Sequence, residues 1–146
     1  MGAIYGFKLV EGPCVVREYT SAAATTYDAG EVVSLANGSV GIGAHDAVAG
    51  VALKDAGGTD TMTPIIHITP DQVWSCGYNG TTALDLIGDK HLVTFTTGSQ
   101  CLSSTADSNP TVTIVGLDPR DGVKTYGRVL VKFIQSNCTL VGSVLA

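Results

Sequence analysis

The chain has 146 residues, with thirteen acidic and eight basic side chains and a net charge of −5. That length suits one domain, with or without an arm, and an acidic balance argues against binding a phosphate backbone, which needs a basic face. No run approaches the roughly 18 apolar residues a membrane helix requires.

Hydrophobic residues make up 45% of the chain but charged ones only 14%, below the usual quarter; Thr, Ser, Ala and Gly take their place. Two readings fit: part of the surface is buried against partners, or it is an ordinary Thr/Ser-rich β surface. The four cysteines, Cys14, Cys76, Cys101 and Cys138, include no C-x-x-C pair, so a zinc or iron–sulfur site is not expected. The opening MGAIYGFKLV lacks a positive n-region and a sustained apolar core, so no secretory leader is expected and the thiols should be buried and free.

In chain order, residues 3–10 alternate loosely and read as a strand or an extended arm, stopped by Gly12-Pro13. Residues 17–29 (REYTSAAATTYDA) have small side chains and no clear period, which suggests a loop or surface-hugging arm. Residues 31–55 organise the rest. Two strands closed by Asn37-Gly38 form a type I′ hairpin, and a third apolar run, Val48 to Leu53, carries Gly50 where a strand would bulge or meet another backbone closely.

The run 61–68 (TMTPIIHI) is expected to be a strand with Met62, Ile66 and Ile68 on one face and Thr61, Thr63 and His67 on the other. Pro64 places it at an edge or a bulge. Residues 72–78 (QVWSCGY) form another strand. The only plausible helix is 81–92, capped by Thr82 and ended by Gly88, and it is followed by a strand at 92–97. Residues 98–110 read as a polar loop or short hairpin. Strands at 111–117, with Val112 and Ile114 inward, and 127–134, with Val129, Val131 and Phe133 on one face, flank a turn at 118–122 and should pair. The tail carries Leu140, Val141, Val144 and Leu145, which either pack on a neighbouring subunit or close the domain's own barrel. About eight short strands, no fixed repeat and no second domain indicate an all-β fold, a small antiparallel barrel or sandwich. It would carry an extended N-terminal arm and at most one short helix.

Candidate chemistry is sparse. His45, His67 and His91 have no partner at a fixed metal or catalytic spacing, so the default is a surface or satisfied edge-strand histidine. Most aspartates sit in turns, which favour Asp for its own backbone bonds. Asp85 and Asp89, four apart, would share a solvated helix face. The glycine run 38–44 lacks the G-K-[ST] ending of a phosphate loop, and the three N-x-[ST] matches carry no weight without a secretory signal. Trp74, Tyr78, Tyr5, Phe7 and Tyr27 would make a sugar-stacking platform if exposed; an aromatic in a β core is the commoner case. No catalytic, cofactor or metal residue emerges, and no enzyme is expected.

The order of the pieces, IYGF-K-LV, then AGEVVSL-ANG-SVGI, VAGVAL-KDA, DQVWSCGYNGTTALDLIGDKHLV and LDPRDGVKTYGRVLVKFI, resembles the capsid decoration (cement) proteins of tailed bacteriophages over most of the chain. The resemblance implies a β body on the outer face of the virion's shell, assembled in the host cytoplasm. It implies the major capsid protein and further copies of itself (dimer or trimer) as partners, with no nucleic acid, membrane or cofactor. Contacts would come from Ile4, Tyr5 and Phe7, from the arm around Tyr19 and Tyr27, and from Leu140, Val141 and Leu145 in the tail, through apolar burial and strand pairing. A glycan-binding tail or fibre module and a small hydrolase are the rival expectations.

Overall fold

A computed structural model describes residues 6–21, 26–36, 39–43, 47–57, 62–94, 100–106 and 110–140. In chain order the strands are β1 (Phe7–Glu11), β2 (Val16–Ser21), β3 (Thr26–Tyr27), β4 (Val32–Ala36), β5 (Ser39–Ile42), β6 (Gly50–Ala52), β7 (Ala56–Gly57) and β8 (Met62–His67). They continue with β9 (Val73–Gly77), β10 (Lys90–Val93), β11 (Leu102–Ala106), β12 (Val112–Leu117) and β13 (Arg128–Phe133). The helical pieces among the described residues are two 3₁₀ turns, Leu84–Leu86 and Gln135–Asn137. The fold is all-β.

It has two parts. One is a closed barrel in the order β2-β5-β4-β6-β8. Its pairs are antiparallel except β2 with β5, which run parallel through Thr20↔Ser39 and Ser21↔Val40. The other is a six-stranded antiparallel sheet, β1-β9-β13-β12-β10-β11. This sheet curls until Leu102 at the start of β11 bridges Tyr78, just past β9, making a roll.

The hairpin at the chain's centre is as its sequence suggests: Ala36 faces Ser39 and Leu35 faces Val40, the register a two-residue connection sets. Asn37 and Gly38 themselves lie outside the described residues. Gly50 sits where β6 pairs with both β4 and β8, and a Cβ there would overlap the Ile66 carbonyl oxygen. Only glycine admits this approach.

The segment 17–29, expected as a loop or surface-hugging arm, is instead structural over its described residues, 17–21 and 26–29. β2 pairs with β8 over Val16↔Ile66 to Thr20↔Met62 and so closes the barrel, and Tyr27 is wholly buried inside it. The alternation of small polar residues goes unnoticed by a hydrophobic template because this barrel's interior is partly hydroxyl. Ser21 Oγ lies 2.7 Å from Tyr27 Oη and 2.6 Å from Thr63 Oγ1, all buried. For the same reason β8 is inverted relative to expectation: Thr63 and Ile65 face the barrel interior, while Met62 is exposed. Ile66 lies on the outside, packed against the roll's core. Pro64 belongs to a strand with neighbours on both sides rather than an edge. Its missing N–H falls just past the end of β6, where Ala52 stands opposite Ile65: the Leu53 N–H bonds the Pro64 carbonyl, and proline returns no bond.

The roll's core gathers Trp74, Cys76, Tyr78, Leu102, Val131 and Phe133, and it also takes in Val32, Val51 and Ile68 from the barrel side. Trp74 meets Phe133 edge-on, with centroids 6.3 Å apart. Two buried glutamines seal the seam. Gln72 Oε1 accepts from Thr69 N–H and Trp74 Nε1, while its Nε2 donates to the carbonyls of Pro13 and His67. Gln100 pairs with both backbone groups of Val32, at 2.6 and 3.0 Å. Each polar atom of those amides has a partner, which is what burial demands.

Two further expectations are corrected. The helix over 81–92 shrinks to the 3₁₀ turn Leu84–Leu86, and β10 begins at Lys90; Thr82 is buried and engaged elsewhere, so it does not cap. Residues 98–110, expected as a polar loop or short hairpin, supply β11, which pairs antiparallel with β10 as a hairpin strand does, and Gln100 and Leu102 are buried rather than part of a polar surface. The pairing of β12 with β13 is as expected, from Val112↔Phe133 to Leu117↔Val129.

A candidate protein-contact surface

At one end of the roll two loops are braced into a single platform. Residues 79–88 and 118–127 meet through Thr82, whose amide donates to the Lys124 carbonyl at 2.9 Å and whose Oγ1 accepts from Lys124 N–H at 2.8 Å. The same hydroxyl donates to the Gly122 carbonyl at 2.6 Å. Tyr126 N–H bonds the Gly80 carbonyl at 2.7 Å, and Thr81 bridges Thr125.

Beneath the second loop, the buried Asp118 accepts from Arg120 N–H on Oδ1 (3.0 Å) and from Arg120 Nη2 and the Ser75 hydroxyl on Oδ2 (3.2 and 3.1 Å). Hydrogen bonds from Arg120 hold its carboxyl down at about 2 against the cost of burial. Arg128 extends the clamp, donating Nε to Ser75 Oγ and Nη2 to the Ser75 and Gly6 carbonyls, while its own amide bonds Asp121 Oδ2. Ser75 therefore has a carboxylate and a guanidinium for neighbours. The guanidinium is no base, and the carboxylate, held at about 2, is a weak one for taking the Ser75 proton, so the arrangement fixes a loop.

The platform carries bare apolar side chains. Leu84 is 71% exposed, Val123 64% and Tyr126 37%, with Ile87 and Val115 exposed close by in the chain fold. The Gly88 N–H bonds the Ile114 carbonyl, which lays the turn bearing Leu84 and Ile87 along β12. Tyr126 has φ +56°, the one non-glycine in the left-handed region among the described residues. A bulky residue is costly there, and the cross-bracing at Gly80 and Lys124 holds it.

The residues expected to touch partners fare unevenly. Phe7 and Tyr27 are buried in the chain's own cores, which removes them from any contact surface. Tyr19 is half-buried, its hydroxyl 2.9 Å from His67 Nε2. Leu140 packs against the barrel's core, after the preceding Thr139 N–H bonds the Val48 carbonyl, so this part of the tail serves the chain's own barrel. Ile4, Tyr5, Val141 and Leu145 lie outside the described residues.

Other candidate chemistry disperses. Trp74 and Tyr78 are buried, so they form no sugar platform. His67 bonds Tyr19, and burial, then the Arg17 charge, lowers its pKa. His91 is buried in the roll, its Nδ1 donating to the Ser103 carbonyl at 2.9 Å, its Nε2 without a partner among the described residues, and its ring edge-on to that of Tyr78. His45 lies outside the described residues. Asp85 and Asp89 share no helix face, since Asp85 is in the 3₁₀ turn and Asp89 follows Gly88. Among the described residues, no three His, Cys, Asp or Glu side chains gather as a metal site would need. Cys76 and Cys138 are buried and unpaired, and burial pushes their thiols to about 12 and about 11; Cys101 is buried too, but Cys14 is exposed, against the expectation for it. The braced platform escaped sequence reading because Thr82 and Tyr126 form it across 44 positions; the one local signal was the apolar Leu84, Ile87 and Val123 within turn-rich stretches.

No model of a known protein family matches the chain, and no curated protein matches its sequence.

Proposed function

We propose that this protein is a structural virion component that binds the outer face of a tailed-phage capsid as a homo-oligomer and bridges major capsid subunits, without catalysis. The motifs quoted above motivate the reading. The observation that carries it is the braced platform bearing Leu84, Val123 and Tyr126. Apolar side chains on ordered loops lose little conformational freedom on binding, and an exposed tyrosine among them has the character of an interface anchor. Holding Tyr126 in a strained backbone conformation costs stability that folding alone does not require. The glycan-binding alternative loses the aromatic platform it needed.

The test is co-sedimentation of the protein with expanded capsid shells of its virus. Saturable binding at a fixed ratio to the major capsid protein is the expected result, and Tyr126→Ala with Leu84→Ser should weaken it roughly 30-fold while circular dichroism stays native. A folded protein that ignores the shells would sink the proposal.

A further inference from the structure

Charge is divided unevenly between the two parts of the molecule. Residues 12–72, which build the barrel, carry seven acidic side chains against two basic ones; the remaining residues hold six of each. The whole net charge of −5 therefore belongs to the barrel segment.

Within the balanced part the cations are sorted by strand alternation. Lys132 faces Thr113, and Thr113 faces Lys90, so the two lysines flank one row across β13, β12 and β10, two strand spacings or roughly 10 Å apart. A second row, Leu130–Ser75–Lys8, runs across β13, β9 and β1. Lys8, Lys90 and Lys132 are all exposed. They share the outer face of the six-stranded sheet, since Val129, Val131 and Phe133 occupy the inner one. Beside Lys8 a groove of about 550 Å³ is bordered by Glu11, Leu130 and the exposed Arg120. Two acids near this face are already engaged, Asp118 buried against Arg120 and Asp121 bonded to the Arg128 amide and 3.9 Å from Lys124. Glu11 and Asp89 are exposed beside Lys8 and Lys90, so the cations of the face outnumber its exposed acids. On the barrel, Glu18 and Asp28 are exposed, and neither has a cation within ion-pair distance among the described residues.

We propose that copies of this chain associate head to tail, the lysine-bearing outer face of the six-stranded sheet of one copy docking on the acidic barrel of the next. Both complementary surfaces lie on the same molecule but on different parts of it, so the contact is heterologous and closes into a ring or extends as a row. Electrostatic complementarity sets the orientation, since sheet-to-sheet or barrel-to-barrel contacts would juxtapose like charges. This inference does not depend on a capsid.

Sedimentation velocity on the whole chain tests it at two ionic strengths, about 0.01 M and about 1 M, where the screening length falls from about 30 to about 3 Å. Association at low salt and dissociation at high salt is expected. Lys90→Glu with Lys132→Glu, and separately Glu18→Lys with Asp28→Lys, should each weaken self-association on the order of tenfold or more. Mixing the two charge-reversed proteins should restore a 1:1 complex, because each then offers the other a complementary pair of faces. All four sites are exposed, and unchanged melting temperatures verify folding. A monomer at both salt concentrations, a salt-insensitive oligomer, or variants that do not rescue one another would overturn the proposal.

Discussion

The roll and the barrel solve the problem of filling a β interior with different materials. The roll is filled by large apolar side chains, Trp74, Phe133, Leu102 and Ile114 among them. The barrel is filled by small ones, Val33, Val40, Ala49 and Ala52, with Ile65 and the buried hydroxyls of Ser21, Tyr27 and Thr63. A five-stranded barrel has little room inside, and Gly50 marks where even a methyl group is refused. An interior made of apolar bulk fails by leaving cavities. An interior tied together by hydroxyls fails by leaving polar groups unpaired.

Trp74→Ala is the sharpest way to break the first. It should cost about 3–5 kcal/mol, measured by urea unfolding, and it also leaves Gln72 without one of its donors. A loss below about 1 kcal/mol would mean that the roll collapses around the gap and that its core is far softer than the packing indicates.

The second way of failing has a different signature. Ser21→Ala strands the Tyr27 and Thr63 hydroxyls in the barrel and should cost about 1–3 kcal/mol. Removing all three hydroxyls together, with Ser21→Ala, Tyr27→Phe and Thr63→Val, should cost less than the single change, because no polar group is then left unpaired. Strict additivity in the same urea titrations would show that the three hydroxyls do not act as a unit.

The same contrast explains what the sequence could reveal. The roll's strands β12 and β13 announce themselves because Val112, Ile114, Val129, Val131 and Phe133 alternate as a half-buried strand must, and the structure buries all five. The central hairpin was legible from Asn37-Gly38, and the tight site at Gly50 from the glycine itself. The barrel's β2 was not legible. Its inward residues are Tyr19 and Ser21, facing Thr63 across the pair, and hydroxyl-bearing side chains read as solvent-facing until their partners are known. β11 was hidden for a related reason. Leu102 is its buried anchor in a Ser/Thr-rich run, and the seam contact just before it is made by a glutamine whose amide pairs with Val32, 68 positions away. The braced platform likewise depends on one threonine and on a tyrosine in a backbone conformation that no local propensity suggests.

The smallest expected effect separates the two parts by pH. In the roll's loop clamp the Asp118 carboxyl is held at about 2 by hydrogen bonds from Arg120, below the ordinary value of 3.8. A carboxyl held down in the folded state contributes stability that is complete above its unfolded value and is lost as pH falls toward the folded one. The contribution should therefore be intact above about pH 4, decline between 4 and 2, and vanish below. Asp118→Asn should melt at a lower temperature than the native chain near neutrality, and the gap should close across that window. The barrel offers the control. Its buried cluster is made of hydroxyls, which do not change charge between pH 2 and pH 5, so the gap between the native chain and Ser21→Ala should stay constant over the same range. If the Asp118→Asn gap also stayed constant, its clamp would be held by shape and neutral hydrogen bonding rather than by charge.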